Sequence, residues 1–252
     1  MTRLSFRSVA FATAALPLAL GLTACKNSEK GTAAVSGEKI AAIAPPAGKT
    51  WAEVVSKTPE NGYRMGNPDA PIKLVEYASI TCSHCAEFAE ASSAELRDTF
   101  VASGRVSYEL RNLVRDAIDL TAVQLVRCGT PESFFPLAEQ AFANQTAMFE
   151  KAQAAGQAAY TAAMQQAPDK RGVALANLAG LSDFFAARGV SRDQQAACLA
   201  KVDEMTALAD TKANKADEYD VNATPTFILN GSKIEENTWP ALKAKLETMG
   251  AR

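Results

Sequence analysis

Apolar positions change period along the chain. Ile72-Lys73-Leu74-Val75-Glu76-Tyr77-Ala78 is nearly continuous in apolar and β-favouring residues, broken only at Lys73 and Glu76. It follows the turn cluster Gly66-Asn67-Pro68-Asp69-Ala70-Pro71. Such a run predicts a central strand covered on both faces. After Cys82 the period lengthens: Cys85, Phe88, Ala89, Ser92, Leu96 and Phe100 share one helical face, with Glu87, Glu90, Glu95 and Arg97 off it. Gly104 stops that helix. Residues 105–113 then predict a second strand, with Val106, Tyr108 and Leu110 on one face.

From Asp116 the texture is Ala- and Gln-rich, and no convincing strand returns before Thr226. Apolar residues recur at helical spacing in three segments, around Leu120–Val126, Phe134–Phe142 and Leu175–Phe185. Four to six helices are expected, the low-complexity one over Gln153–Gln166 partly frayed. Thr226-Phe227-Ile228-Leu229 predicts a short strand and Asn230-Gly231 a two-residue hairpin turn, because both positions tolerate positive φ. Ser232–Ile234 would be the return strand. Thr238 caps a last helix burying Leu242, Leu246 and Met249, and Gly250 ends it. The pattern predicts an α/β fold: a sheet domain over 51–115 and 202–252, with an all-helical insertion over 116–201.

The first residues carry a different signal. Arg3 and Arg7 precede an apolar stretch, Val9–Leu22, broken by Pro17. It falls short of the ~20 residues that span a bilayer, so a removable leader over 1–24 is expected rather than a permanent anchor. Leu22-Thr23-Ala24-Cys25 resembles the lipobox of bacterial lipoproteins, which implies lipidation of Cys25; ordinary cleavage near Ala24 is the alternative. Residues 25–50 have no period and end at Pro45-Pro46, so they read as a flexible tether with order beginning near Trp51. Such a chain belongs in the cell envelope or periplasm. Membrane contact would be through the lipid alone.

A net charge of −2 offers no electrostatic footprint for nucleic acid. Glu235-Glu236 and Arg111 with Arg115 read as solvated surface. There are five cysteines: Cys25, Cys82, Cys85, Cys128 and Cys198. Lipidation of Cys25 would resolve the odd number and leave two pairs in an oxidising compartment. Cys128 and Cys198 lie near the two ends of the helical segment and are expected to form a structural disulfide, two buried free thiols being the alternative.

Cys82-Ser83-His84-Cys85 carries the candidate chemistry. Two cysteines at i and i+3 between a strand and a helix place Cys82, expected to be the more exposed, at a helix N-terminus. There unpaired N–H groups and a partial positive charge favour a thiolate nucleophile. Cys85, one turn in, can resolve a mixed disulfide on Cys82. His84, the single histidine, could stabilise that thiolate further. Half a zinc site is the main rival reading, but no second C-x-x-C or histidine completes it, so neither metal nor cofactor is expected.

The segment Val75 to Phe88, with Cys82-Ser83-His84-Cys85 inside it, resembles the active-site segment of the DsbA-like thioredoxin family. Ala223-Thr224-Pro225-Thr226-Phe227-Ile228-Leu229-Asn230-Gly231 is similar to that family's cis-proline segment and hairpin. The resemblance covers roughly residues 63–249. It implies a thioredoxin fold with the helical insertion over the active-site face, and a cis Thr224–Pro225 bond beside the cysteines. It also implies that Thr224 offers its backbone to an extended substrate while Pro225 shapes the site. Glu76 stands six residues before Cys82, where the fold often keeps a buried acid, and would relay protons for Cys85. A water-linked or edge-facing glutamate is the alternative.

The family further implies a monomeric dithiol oxidase of cysteine-containing exported proteins, reoxidised by a quinone-linked membrane partner. Ser83, where the commonest DsbA centre has proline, and Thr224, shared with isomerases, leave direction open. A reductase or isomerase kept reduced by a membrane donor is the second reading. A metal-binding or chaperone module is the third, with Met65 and His84 as its sparse soft ligands.

Overall fold

The computed structural model describes residues 37–252, so the expected leader and Cys25 lie outside the described residues. Six strands form one sheet: β1 (Val55–Lys57), β2 (Tyr63–Met65), β3 (Ile72–Ala78), β4 (Val106–Asn112), β5 (Thr226–Leu229) and β6 (Ser232–Ile234). Their order is β1-β2-β4-β3-β5-β6. β3 and β4 pair in parallel, with Glu76 opposite Leu110, while β2–β4, β3–β5 and β5–β6 are antiparallel. β3 therefore lies inside the sheet with a neighbour on each side, as its nearly continuous apolar run requires. The β5–β6 hairpin turns at Asn230 (φ 48°) and Gly231 (φ 83°), both in the left-handed region.

Helix α1 (Ser83–Glu95) crosses from β3 towards β4 and passes into a π-helical segment, Leu96–Val101. The expected single helix to Phe100 thus widens in its last turns, where the Ala102 N–H reaches back to the Arg97 carbonyl. α1 and the last helix, α9 (Trp239–Thr248), share an aromatic core in which Phe88 packs on Phe227 and Phe100 meets Trp239 edge-on.

Seven α-helices lie between β4 and β5, one more than the sequence pattern suggests: α2 (Ala117–Val126), α3 (Phe134–Ala143), α4 (Gln145–Met164), α5 (Pro168–Leu178), α6 (Leu181–Ala186), α7 (Arg192–Leu199) and α8 (Val202–Ala209). The extra one, α8, falls beyond 201. The low-complexity stretch is not frayed. It belongs to α4, interrupted only at Gly156, whose φ of 78° an ordinary side chain would resist. Cys128, just past α2, is bonded to Cys198 in α7, with 5.8 Å between their Cα atoms.

Three further expectations need correction. Strands β1 and β2 were not visible as patterns, because three residues are too few to establish a period. Order begins before Trp51: the Ile40 N–H donates to the Gly250 carbonyl, the Ile43 N–H to the Ser103 carbonyl, and Trp51 Nε1–H to the Ile43 carbonyl. Finally, Arg111 is not solvated. It is 6% exposed, donating to Glu109 at 2.7 Å, Tyr77 Oη at 3.2 Å and the Asn214 carbonyl at 3.3 Å, with Glu60 at 3.7 Å. Its guanidinium staples the segment preceding β5 onto the sheet face opposite α1. Arg115 and Glu235 are exposed, while Glu236 is partly covered and pairs with Lys245 at 2.9 Å.

Candidate active site

Cys82 occupies the N-cap of α1 with extended backbone (φ −93°, ψ 118°), and its carbonyl accepts the first helical bond, from the Ala86 N–H. Cys82 is the more exposed of the two cysteines, as expected, but by little: it is 3% exposed and Cys85 is fully buried. The cover over Cys82 includes the loop before β5. The Thr224–Pro225 peptide bond is cis, and the Thr224 carbonyl lies 3.2 Å from Cys82 Sγ, in position to accept its S–H. Cys82, Cys85, Thr224 and Pro225 are thus brought together by two segments 142 residues apart.

Glu76 stands in β3, 2% exposed, and its Oε2 accepts the Tyr108 hydroxyl at 2.6 Å. Burial raises its carboxyl to about 7, partly opposed by that hydrogen bond. Burial likewise pushes the Cys85 thiol far up, helped next by the negative field of Glu76. The two groups are therefore electrostatic neighbours behind the more reactive sulfur, and at neutral pH Glu76 can hold or release a proton there.

His84 is not joined to the sulfurs. Its side chain is 76% exposed, and Nδ1 lies 3.1 Å from Glu87 Oε2, one turn on. Any effect on Cys82 acts through space and is screened by solvent. Met65 is buried in β2 while His84 faces outwards on α1, so the structure does not assemble those two soft ligands.

Several supporting residues escaped the sequence reading. Tyr108 was visible only as an apolar strand position, yet its hydroxyl is the hydrogen bond that Glu76 makes. Asp119, fully buried in α2, accepts the Ile80 N–H at 2.8 Å and the Arg115 N–H at 3.0 Å. Burial raises it to about 6, opposed by a hydrogen bond from Ser79. Asp116 caps α2 through the Ile118 and Asp119 N–H groups and accepts the Thr81 hydroxyl at 2.8 Å. Gln145, at the start of α4, donates to the Ile80 carbonyl at 2.8 Å. Together these fix the loop 79–81 that aims Cys82. The acid three residues after an acidic N-cap was the available signal.

Comparison with known proteins agrees with this geometry. The family described as Thioredoxin matches residues 58–248. A Rickettsia bellii protein, provisionally designated a protein-disulfide oxidoreductase, is 27% identical over 205 residues, which is 80% of this chain and 69% of that protein. A Rickettsia conorii protein with the same provisional designation is 33% identical over 86 residues, 34% of this chain and only 31% of its own length. Among solved structures, a protein-disulfide isomerase from Novosphingobium aromaticivorans is 29% identical with a TM-score of 0.67, over 73% of this chain and 95% of its own. Wolbachia pipientis α-DsbA1 shares the fold at a TM-score of 0.60 and 20% identity, over 76% of this chain and 91% of its own. The chain belongs to the thioredoxin family, as a thiol–disulfide oxidoreductase.

Proposed function

We propose that the protein is a dithiol oxidase that passes the Cys82–Cys85 disulfide to cysteine-containing clients. A client thiolate attacks Cys82 Sγ, the Cys82–Cys85 bond breaks, and Cys85 leaves with the electron pair. Glu76, protonated near neutral pH, supplies the proton that turns the leaving sulfur into a thiol. A second client thiolate then attacks the client sulfur of the mixed disulfide and expels Cys82 as a thiolate at the N-terminus of α1. The client is oxidised by two electrons and the enzyme dithiol is the reduced product.

The observation that carries this direction is the seat of Cys82. The Thr224 carbonyl 3.2 Å away accepts a hydrogen bond from its thiol. That bond is made only when the cysteines are reduced, so it stabilises the reduced protein and makes the disulfide a better donor. Pro225 holds the Thr224 carbonyl there, and the client strand would pair along that backbone. His84 would act at most by its charge. The Cys128–Cys198 bond is structural in this account, since it ties α2 to α7 away from the exchange.

The proposed setting is the cell envelope, with the domain held by lipid on Cys25, acting as a monomer and reoxidised by a quinone-linked membrane protein. No described helix is long and apolar enough to cross a membrane. The isomerase reading draws on the Novosphingobium neighbour, which carries that name. Replacing Cys85 by Ala separates mechanism from direction. In this variant a client cysteine activated as a disulfide with a good leaving thiol should be attacked by the Cys82 sulfur, expel that thiol and accumulate as a mixed disulfide on Cys82. No adduct on Cys82 would sink the scheme.

A further inference from the structure

A cavity of about 450 Å³ opens between α2, α5 and α8, beside the loop that aims Cys82. Its walls are apolar, with Leu120, Leu175, Val202 and Met205 among them. Two guanidiniums, Arg115 and Arg171, line it, and neither makes an ion pair among the described residues. Among the described residues Arg171 Nε is buried with no hydrogen-bond partner, and a terminal nitrogen makes a 3.4 Å contact with the Gln166 carbonyl. The one acid in the lining, Asp116, is already engaged by the Ile118 and Asp119 N–H groups and by the Thr81 hydroxyl. The terminal guanidinium nitrogens, rather than the covered Nε, are the donors open to the cavity, and a carboxylate meeting them would form charge-assisted hydrogen bonds. The chemistry left open is therefore an apolar body with one carboxylate beside it. Asp116, in the cavity lining, accepts the hydroxyl of Thr81, the residue before Cys82, so the cavity rim is linked to the redox loop.

We propose that this cavity is a docking site for the client chain, receiving an apolar client side chain together with the carboxylate of an adjoining Asp or Glu. The inference rests on the oxidoreductase reading and adds a substrate class to it: clients with an apolar–acidic pair near the reacting cysteine. The apolar side chain enters between α2 and α8, and the carboxylate takes the unused N–H groups of Arg171 and Arg115.

The test uses fluorescent peptides in which a Leu-Glu, Leu-Lys or Ser-Ser pair is walked along both sides of a serine that replaces the reacting cysteine. Anisotropy on the full described domain reads binding without any redox step. At the productive spacing the Leu-Glu peptide should bind about tenfold more tightly than Leu-Lys, the scale of one charge-assisted hydrogen bond. Arg171→Met and Arg115→Met, checked for unchanged thermal unfolding, should abolish that preference, and Arg171→Lys should retain part of it. Equal binding of Leu-Glu and Leu-Lys at every spacing, or a preference that survives both Met variants, would overturn the proposal. The same peptides with cysteine restored read exchange. Binding as expected without exchange at Cys82 would refute the redox reading and leave the docking site standing.

Discussion

Replacing Glu76 by Gln should change stability in a pH-dependent way. The carboxyl titrates at about 7 in the fold against an ordinary value of 4.5, a difference set by burial. Between those two values the unfolded chain has released this proton while the folded chain still holds it. Stability is therefore full at low pH, falls as pH rises from about 4.5 to about 7, and is level above. At about 1.4 kcal/mol per pH unit, the loss amounts to about 3 kcal/mol. Gln is close in shape, stays neutral and still offers an oxygen to the Tyr108 hydroxyl. Urea unfolding of wild type and Glu76→Gln, both in the same redox state, should give similar stabilities at pH 4. At pH 8 the variant should gain on wild type by about 3 kcal/mol. Asp119 also titrates high, but it is present in both proteins and cancels in the difference. Kinetics should move the opposite way: without the proton donor, formation of the mixed disulfide should slow by on the order of 10² at pH 6, and the gap should close above pH 7. Stability curves that stay parallel from pH 4 to 8 would refute the assignment of a buried, protonated Glu76.

Other consequences follow from the same contacts. Removing the Cys128–Cys198 bond by double replacement with Ala should lower unfolding free energy by about 4 kcal/mol, given 70 residues between the two cysteines; denaturant melts check it, and a change below about 1 kcal/mol would mean the link carries no constraint. Arg111→Met strands Glu109 with one partner fewer, and should destabilise by about 3–5 kcal/mol in the same assay. His84→Ala should alter the rate of client oxidation less than about threefold, with the difference vanishing in high salt, because that side chain is exposed and bonds Glu87 rather than sulfur. A large, salt-insensitive loss would place His84 against the reacting atoms.

Much of the site was legible because chemistry and period coincide there. A continuous apolar strand, a C-x-x-C and a helical stripe each require the other's position, and Thr224-Pro225 before a short strand completes the set. The buried acid was legible for the same reason: Glu76 falls on the face of β3 that it shares with Ile72, Leu74 and Ala78, all buried. What stayed hidden depends on pairing across the fold. Tyr108 looks like any strand aromatic until β3 and β4 align it beside Glu76. Asp119 needed the position of α2 behind the loop 79–81, and Arg111 looked like surface because its partners Glu109, Tyr77 and Asn214 meet only once the segment before β5 lies on the sheet. The segment around Ile40–Ile43 has no period of its own; its backbone is held by hydrogen bonds to the Ser103 and Gly250 carbonyls and from the Arg105 side chain, with Ile40 alone packing on the core.

The equilibrium reduction potential of the Cys82–Cys85 pair in a glutathione buffer tests the central claim most directly. If the hydrogen bond from the Cys82 thiol to the Thr224 carbonyl stabilises the reduced protein as argued, the potential should lie near about −120 to −160 mV, among strong oxidants. A value near about −250 mV or lower would mean a disulfide too stable to give away, and would contradict the oxidase account.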